Sequence, residues 1–555
     1  MYSFNSKRIM NKKRATTTSG AFPSFFSILA NPNTFRSVDF ALVRHLKILI
    51  FGSFLFLLVF TTLFRALIDV HANQPTAIPN TIFLDTTPAT FNITTSGSAG
   101  NISYTVTDLS RTIITSGSHQ VTSKQTTLML PTEPDGYYTL NIVDHTVPSS
   151  PSQSIPFAII SPPPGEASPF GVSIHFGGSE EPGIAPLITL LGTSAVRSDA
   201  AWSQIEQAPG HYTFNSYDPS LQILEQQNLN PLLILDYTNR FYDNGQTPYD
   251  DAGLRAFANY AKAVVTHYGS QLKAVEIYNE YNGKFSTGPC ARKPACYARM
   301  LQYSYQAIKS VRPDITVVGG ALFSVDLLWF TQLFQNGGLR YMDVVSDHPY
   351  PLVTFLSPER AMMAQQMNLL QSLIKHYNNG VAKPIWITEL GWPTALLNVD
   401  ERTQSQYLVR GAVLSLAAGV QKFFWYDFLN DGTSPYATEQ NYGLLRRPDV
   451  AGRYTPKPSY VAYATLIRQL AHQSFISGGT IGDDVYDERF SNVHVLWSTD
   501  DNHRVIVTTS KPLVVTTMTG KVQTYTPLAG QVILSLSEDP IYIAAPGTSR
   551  IAEVP

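Results

Sequence analysis

The sequence predicts an α/β protein in which a closed (β/α)8 TIM barrel is flanked by N-terminal and C-terminal β-sandwich domains, with an N-terminal transmembrane helix ahead of them. Three observations predict this. Residues 165–474 alternate eight short apolar runs with longer amphipathic segments. Residues 75–162 and 475–555 show short β-rich runs separated by turn residues. Residues 48–64 contain no charged side chain.

The apolar stretch 47–70 reaches the roughly 20 residues that a tilted helix needs to cross a bilayer. Residues 1–47 carry eight basic side chains against one acidic side chain, Asp39. The positive-inside rule therefore predicts a cytoplasmic basic tail, residues 1–46, and an extracytoplasmic remainder of a single-pass membrane protein. A long cleaved leader ending near Val70-His71-Ala72 stays open as an alternative, and the protein would then be secreted.

Residues 48–555 are mildly acidic, because residues 1–47 hold seven net positive charges while the whole chain has a net charge of -2. A nucleic-acid-binding protein would concentrate positive charge on its folded part. This distribution argues against nucleic acid as a partner and says nothing about oligomeric state.

The two β-rich regions resemble small sandwiches in their pattern of short strands. A stiff segment, Ser161 to Gly165, separates the first of them from the alternating region. The predicted strands are Thr81–Leu84, Ser103–Thr107, Thr112–Ser116 and Tyr138–Val143 in the first region, and Val493–Trp497, Arg504–Thr508, Gln531–Leu536 and Ile541–Ile543 in the second.

The alternating region contains as many strand candidates as a closed barrel needs. An open doubly wound sheet would share the alternation, but no Gly-rich phosphate loop follows the first strand. Helices are predicted at 251–267, 297–310, 359–377 and 401–418. The eight predicted strands are Phe170–Phe176, Ala195–Arg197, Pro231–Asp236, Ala274–Asn279, Thr316–Gly320, Asp343–His348, Pro384–Thr388 and Lys422–Trp425.

The chain has two cysteines, Cys290 and Cys296, in a loop-like stretch that the predicted topology places in an oxidising compartment. We expect a local disulfide, and a pair of free thiols is the alternative. Two thiols without a neighbouring histidine do not make a four-ligand zinc site. No metal-binding or phosphate-binding motif occurs elsewhere, so neither a metal nor another cofactor is expected.

Two of the predicted strands end in glutamate, at the side of a barrel where active sites lie. The fourth run reads Ala274-Val-Glu-Ile-Tyr-Asn-Glu280, and the seventh reads Pro384-Ile-Trp-Ile-Thr-Glu389. Hydrolysis of a glycosidic bond with retention needs two carboxyl groups about 5–5.5 Å apart. Strand ends four and seven can face each other across the mouth of a barrel, so these glutamates are the candidate catalytic pair. A surface carboxylate is the alternative for Glu389.

An Asn-Glu pair after strand four and a glutamate after strand seven resemble clan A of the glycoside hydrolases. With the Trp after strand two and Glu-Leu-Gly-Trp at strand seven, the chain looks most like family 39, with family 5 as a neighbour. The resemblance covers roughly residues 165–475. It implies that Glu280 is the acid/base and Glu389 the nucleophile, and that Asn279 binds the sugar 2-hydroxyl.

The same resemblance implies substrate-binding or supporting roles at other strand ends. Arg197 would orient the nucleophile, a surface salt bridge being its alternative, and His348 and Tyr350 would lie beside the glutamates. Trp425 would form a stacking floor for the sugar unless it belongs to the barrel core. Glu206 is expected to have a structural role in a turn. Weaker candidates for the site are His175, Asp236, Tyr237 and Trp392.

The predicted function is a retaining glycoside hydrolase, endo-acting on an extracellular or cell-wall polysaccharide. A carbohydrate-binding pseudoenzyme would use the same cleft without chemistry. A transglycosylase would use the same residues with a sugar in place of water as acceptor.

Overall fold

The computed structural model describes residues 79–165, 168–176, 180–482, 484–500, 503–544 and 550–554. The predicted cytoplasmic tail, residues 1–46, and the predicted transmembrane helix, residues 47–70, lie outside the described residues. Within the described ranges, none of the helices has both the length and the apolar character needed to cross a membrane.

The N-terminal strands form a five-stranded sheet and a two-stranded sheet that share one apolar core. In the larger sheet the order is β1-β7-β6-β3-β4, and β2 pairs with β5 in the smaller sheet. Phe91 of β2 packs edge-on against Phe157 of β7, with ring centroids 5.2 Å apart. The strands are β1 Ile82–Leu84, β2 Thr90–Thr94, β3 Gly100–Asp108, β4 Ile113–Val121, β5 Gln125–Met129, β6 Gly136–Asp144 and β7 Gln153–Ile160.

The central region is the predicted closed parallel barrel, which confirms the barrel prediction. Around the barrel the order is β12-β13-β14-β15-β16-β17-β8-β9, with β10–β11 and β18–β19 as two-stranded additions. The strands are β8 Phe170–Ser173, β9 Ala195–Ala201, β10 Glu206–Ala208, β11 His211–Tyr212, β12 Asn230–Asp236, β13 Ala274–Ile277, β14 Thr316–Phe323, β15 Val344–His348, β16 Ile385–Leu390, β17 Lys422–Trp425, β18 Leu445–Arg446 and β19 Thr455–Pro456.

Helices cover the outside of the barrel, and their starts follow local capping. Asp250 accepts a hydrogen bond from the backbone N–H of Gly253 at 2.7 Å, and Asp400 accepts one from Thr403 at 2.7 Å. The α-helices are Ala185–Leu191, Trp202–Ile205, Asp218–Gln226, Asp251–Tyr268, Pro294–Lys309, Leu327–Gln335, Met363–Tyr377, Glu401–Ala417 and Pro458–Leu470. Short 3₁₀ turns are Pro182–Ile184, Asp243–Gly245, Gly269–Gln271, Gly288–Cys290, Gly338–Tyr341 and Thr438–Asn441.

The lower part of the barrel is filled by side chains that point inward. Seven of them form one buried cluster: Ala195, Leu232, Ala274, Val318, Val344, Trp386 and Phe424. Because alternate residues of a strand face the same side, most of the next inward positions toward the carboxyl ends carry polar groups, among them Arg197, Glu276, Ser346 and Thr388. The apolar layer thus forms a floor below the candidate site.

After the last helix of the barrel, the C-terminal strands form a six-stranded sheet, β20-β21-β22-β27-β24-β25, and a three-stranded sheet, β26-β23-β28. Both sheets contribute to one apolar core. The strands are β20 Phe475–Ile481, β21 Val485–Phe490, β22 Val493–Ser498, β23 His503–Thr508, β24 Leu513–Thr516, β25 Val522–Tyr525, β26 Gln531–Leu536, β27 Ile541–Ala544 and β28 Arg550–Glu553.

The C-terminal sheets contact the barrel region at a buried ion pair, and a hydrogen bond from Trp497 makes this contact. Arg410 and Glu359 make two hydrogen bonds of 2.6 and 2.8 Å, and the indole N–H of Trp497 in β22 donates to the same carboxylate at 2.9 Å. Only 1% of Arg410 and 4% of Glu359 are exposed. A buried charge pair of this kind is costly to break, so the contact fixes how the two parts pack.

Candidate active site

The two glutamates predicted from the strand ends lie close together at the carboxyl end of the barrel. Glu280 follows β13, and Glu389 belongs to β16. One carboxylate oxygen of each and a ring nitrogen of His348 lie within 4.8 Å of one another. Their side chains are 12% and 13% exposed, and both line a cavity at this end of the barrel. The ends of β13 and β16 therefore bring two partly buried carboxylates close together.

Arg197 holds the polar end of the barrel together with three contacts. Its Nε donates to Glu276 at 2.7 Å, one terminal nitrogen donates to Glu389 at 2.7 Å, and the other donates to Asn279 Oδ1 at 2.8 Å. The guanidinium is only 3% exposed, and the neighbouring carboxylates raise its pKa against the effect of burial. The sequence-based alternative of a surface salt bridge is wrong.

Glu389 is held in the charged form by its neighbours. Burial raises its pKa, but the charges of His348 and Arg197, together with hydrogen bonds from Tyr350 and Arg197, outweigh this effect, so the pKa lies below its ordinary value. Tyr350 Oη donates to Oε1 of Glu389 at 3.0 Å. The alternative of a surface carboxylate is wrong for this residue.

His348 lies between the two glutamates and is fully buried. Its Nδ1 is 3.2 Å from Glu280 Oε1 and 3.9 Å from Glu389 Oε2. Its Nε2 lies 3.1 Å from the hydroxyl of Thr388. The imidazole thus contacts Glu280 directly, whereas Glu389 has Arg197 as its cationic partner, and the two carboxyl groups have different surroundings.

Glu280 has an unusual backbone conformation, with φ of +45°. This left-handed region is uncommon for a residue with a Cβ and is enriched at functional sites. The backbone N–H of Glu280 donates to Ala321 O at 2.8 Å, and Gly283 N–H donates to Glu280 O at 2.8 Å. These bonds fix the direction of the carboxylate toward the cavity.

Asn279 and Tyr237 stand beside the pair. Asn279 Nδ2 donates to Tyr237 Oη at 3.1 Å while its Oδ1 accepts from Arg197, so the orientation of its amide is set from both sides. Both residues line the cavity. Tyr237 packs on Phe285 with ring centroids 5.2 Å apart, which extends the wall outward.

The cavity has a volume of about 580 Å³ and an aromatic wall. Amphipathic walls of this kind suit a sugar, whose ring faces are apolar while its hydroxyl groups need polar partners. Carboxylates, Lys284 and the amide of Asn279 supply the polar groups. The aromatic side chains that line it are Tyr237, Phe285, Phe323, Tyr350, Tyr426 and Tyr442.

Two predicted substrate-binding residues are not in the cavity wall. Trp425 and Trp392 are both 0% exposed and pack on each other with ring centroids 6.1 Å apart. The indole N–H of Trp392 donates to the backbone of Leu356 at 3.0 Å. The expected stacking role of Trp425 and the expected substrate-binding role of Trp392 are therefore wrong, because both side chains are buried in the core. The residue after Trp425, Tyr426, lines the cavity.

The weaker candidates for the site and Glu206, the predicted turn residue, lie at different places in the structure. His175 lines the cavity, while Asp236 is fully buried behind it, where burial and then Asp199 raise its pKa well above the ordinary value. Glu206 accepts hydrogen bonds from Trp202, Gly210 and Tyr242 at 2.5–2.6 Å, in the structural role expected for it.

The predicted disulfide between Cys290 and Cys296 is present, so the free-thiol alternative is wrong.

The sequence reasoning missed several polar and aromatic residues of the site. Glu276 is fully buried and binds both Arg197 and Ser346, and a charged residue inside the apolar run Ala274–Ile277 was the signal for it. Asp199 lies in β9 and Glu439 in the 3₁₀ turn Thr438–Asn441; both line the cavity, and no sequence motif pointed to either. For Tyr426, the sequence analysis predicted the neighbouring Trp425 as the aromatic residue of the site instead.

Comparison with solved structures gives the same architecture. A family 39 glycoside hydrolase from the gut symbiont Bacteroides cellulosilyticus WH2 matches with a TM-score of 0.73 and 22% sequence identity, over 84% of this chain and 99% of that chain. A monomeric beta-xylosidase from Caulobacter crescentus CB15 matches with a TM-score of 0.49 and 14% identity, over 69% of this chain and 97% of its own. A family 39 enzyme from Xanthomonas axonopodis pv. citri has a TM-score of 0.49 and 13% identity, over 69% and 95% of the two chains.

No family model and no curated protein matches the sequence. The first structural match extends over nearly all of its own chain, including more than the barrel alone. The resemblance expected from the strand ends is thereby confirmed in the fold, and the chain is built like a family 39 glycoside hydrolase of clan A.

Proposed function

We propose that the chain is a retaining glycoside hydrolase that cleaves O-glycosidic bonds by double displacement. The observation that carries the proposal is the pair Glu280 and Glu389, with one oxygen of each within 4.8 Å. Retaining enzymes hold their carboxyl groups about 5–5.5 Å apart, whereas inverting enzymes need about 6.5–9.5 Å to admit a water molecule. The short separation favours direct attack by a carboxylate.

In the first step Glu389 attacks the anomeric carbon, and the bond from that carbon to the leaving oxygen breaks. Glu280 donates its proton to the leaving oxygen, which departs as an alcohol. The lowered pKa of Glu389 supports this assignment, because a nucleophile must be ionised. Arg197 and Tyr350 orient its two oxygens separately, one contact to each.

In the second step a water molecule replaces the leaving group. Glu280 takes a proton from the water, the oxygen attacks the anomeric carbon, and Glu389 is released as a carboxylate. Formation of the ester removes a negative charge from beside Glu280, which favours loss of its proton and prepares it to act as a base. One pair of residues serves both steps, and the anomeric configuration is restored by two inversions.

The finer proposal is endo action on an extracellular or cell-wall polysaccharide, with the catalytic domain held outside the cell. The apolar stretch 47–70 and the disulfide between Cys290 and Cys296 support an outward location, because disulfides persist in oxidising compartments. The products of a purified polysaccharide test the mode of action. Oligosaccharides of several lengths at early times support endo cleavage, and release of one small product throughout contradicts it.

A mechanism-based fluorinated glycoside tests the chemistry. We expect covalent labelling of Glu389, located by peptide mass spectrometry, and no labelling in Glu389→Gln. Glu439→Gln is the matched control, because Glu439 lines the same cavity but has no hydrogen bond to Glu280 or Glu389 in the described chain. Labelling of Glu439, or full activity in Glu389→Gln, would refute the proposal.

The same experiment separates the alternatives. A carbohydrate-binding pseudoenzyme forms no adduct with any glycoside of the panel. A transglycosylase forms the adduct but passes the sugar to an added acceptor, so its products grow longer rather than shorter. In Glu280→Ala an aryl glycoside with a good leaving group should still form the adduct, and added azide should speed its release by attacking without a base.

A further inference from the structure

A second cluster of ionisable groups lies at the edge of the cavity, away from the two glutamates. His175 follows β8, and Asp427 and Asp431 follow β17. One potential ligand atom from each of these three residues lies within 4.8 Å of the other two. His175 is 26% exposed, Asp431 is 25% exposed, and Asp427 is fully buried. The retaining mechanism assigns no role to this cluster.

Asp427 provides an independent observation. Both of its carboxylate oxygens are buried, and no described residue forms a hydrogen bond with either. Nε2 of His175 is also buried without a hydrogen bond from the described chain, and it lies 3.9 Å from Asp427 Oδ2. Burying a carboxylate without hydrogen-bond donors is strongly unfavourable, so such a group requires a compensating positive charge or a proton.

The surrounding charges are mostly negative. Glu180 is 3% exposed, and one of its oxygens is buried without a hydrogen bond to a described residue. Glu180 and Asp431 both place a negative charge near Asp427. Two cations, Lys457 and Arg447, act on Asp427 from nearby. Lys457 donates its hydrogen bonds to Thr394 and Asn441 O, and a terminal nitrogen of Arg447 lies 3.9 Å from Asp431 Oδ1. Neither cation forms an ion pair with Asp427 within the described residues.

We propose that His175, Asp427 and Asp431 bind a divalent first-row transition-metal ion of the Zn²⁺ or Mn²⁺ type. Two ligands that are each about 2.1 Å from one ion are at most about 4.2 Å apart, and the 3.9 Å between His175 Nε2 and Asp427 Oδ2 satisfies this limit. The partly exposed Asp431 can close the remaining gap by rotating its side chain. One imidazole with two carboxylates fits these ions, whereas Ca²⁺ and Mg²⁺ prefer oxygen ligands alone.

The other ring nitrogen of His175 supports the same assignment. Nδ1 faces Asp199 and lies 4.0 Å from its Oδ2 atom. Histidines that bind metals through one nitrogen usually direct the other toward a carboxylate or carbonyl, which fixes the tautomer. A small rotation of Asp199 would complete this arrangement and leave Nε2 unprotonated toward the ion.

The ion would have a structural consequence for the cavity. It would join the segment after β8 to the segment after β17, which carries Tyr426, an aromatic residue of the cavity wall. The site is separate from the glutamate pair, because it shares no residue with the group of Glu280, His348 and Glu389. The ion therefore fixes the wall and takes no part in proton transfer.

The test is metal binding by the purified chain after removal of metals with a chelator. Titration calorimetry and equilibrium dialysis with elemental analysis measure Zn²⁺ and Mn²⁺ binding, with Ca²⁺ as the comparison ion. We expect one Zn²⁺ or Mn²⁺ per chain and at least a tenfold preference over Ca²⁺. We also expect at least a tenfold weaker affinity in Asp427→Asn and Asp431→Asn. Circular dichroism and thermal unfolding establish that each variant is folded.

Glu389→Gln is the matched control, because Glu280, His348 and Glu389 form another group of potential ligands. Unchanged stoichiometry in Glu389→Gln supports the proposed site. Loss of the ion in Glu389→Gln but not in Asp431→Asn would place the metal between the catalytic glutamates and overturn the proposal. Absence of any binding to the wild-type chain would overturn it as well, whether or not the chain hydrolyses glycosides.

Discussion

Tyr350→Phe removes one hydroxyl from the catalytic end of the cavity and leaves the ring in place. That hydroxyl donates to Glu389 at 3.0 Å and is one of the groups that lower the pKa of this carboxyl. A hydrogen bond to a charged group contributes about 1.5–3 kcal/mol, and one pKa unit corresponds to about 1.4 kcal/mol. Because Arg197 still binds the other oxygen, we expect the lower end of this range, a rise of about one unit in the pKa of Glu389.

The dependence of kcat/KM on pH measures this shift, because its acidic limb reports ionisation of the nucleophile in the free enzyme. The limb moves to higher pH in Tyr350→Phe, since a raised pKa leaves less carboxylate at a given acidic pH. Tyr442→Phe is the control, because Tyr442 lines the same cavity and packs edge-on against Tyr350 with centroids 6.2 Å apart. An unmoved limb in Tyr350→Phe, or an equal shift in both variants, would refute the reasoning.

Three further predictions concern the core, the domain contact and the disulfide. Trp425→Phe lowers the free energy of unfolding, measured by denaturation, by about 1–3 kcal/mol and leaves KM unchanged, because Trp425 is buried in the core. Tyr426→Ala raises KM in steady-state kinetics, because Tyr426 lines the cavity. A raised KM in Trp425→Phe would contradict this. Arg410→Met costs about 3–5 kcal/mol at neutral pH, because it leaves Glu359 buried without its partner. The pKa of Glu359 is lowered in the folded chain, so this difference shrinks as pH falls, and a loss that grows in acid would contradict it. Cys296→Ser removes about 2 kcal/mol by the loop-closure relation, and reduction of the wild-type chain should reproduce the lower Tm.

The barrel was predictable because its signal is local and repeated. Eight apolar runs separated by amphipathic helices with capping residues specify a closed parallel sheet, and the structure contains those strands with ends shifted by a few residues. The ends shift because strand termini depend on hydrogen bonds to neighbouring strands, which the sequence of one run does not contain. In β14, for example, the pairing extends to Phe323 through a register shift, three residues beyond the predicted Gly320.

The proposed catalytic pair was predictable for a related reason, and its neighbours only in part. A residue that ends a parallel strand must lie at the carboxyl end of the barrel, so the positions of Glu280 and Glu389 follow from the strand ends. Arg197 was predicted to end its strand, but β9 continues to Ala201. The direction of a side chain beyond the strand end follows from local backbone torsion. Trp425 and Tyr426 are adjacent in the sequence, but Trp425 points into the core and Tyr426 lines the cavity. The stacking role was predicted for Trp425 because tryptophan is the more usual stacking residue.

The sequence by itself determined the alternation of strands and helices, the two strand-end glutamates and the single pair of cysteines, because each depends on residue type and spacing along the chain. Tertiary structure alone decided the separation of the glutamates, the depression of the pKa of Glu389 and the gathering of His175, Asp427 and Asp431. These properties depend on distances between residues that lie up to 256 positions apart in the numbering. Such distances are set when the barrel closes, and electrostatic interactions strengthen only once that closure has removed water from between the groups.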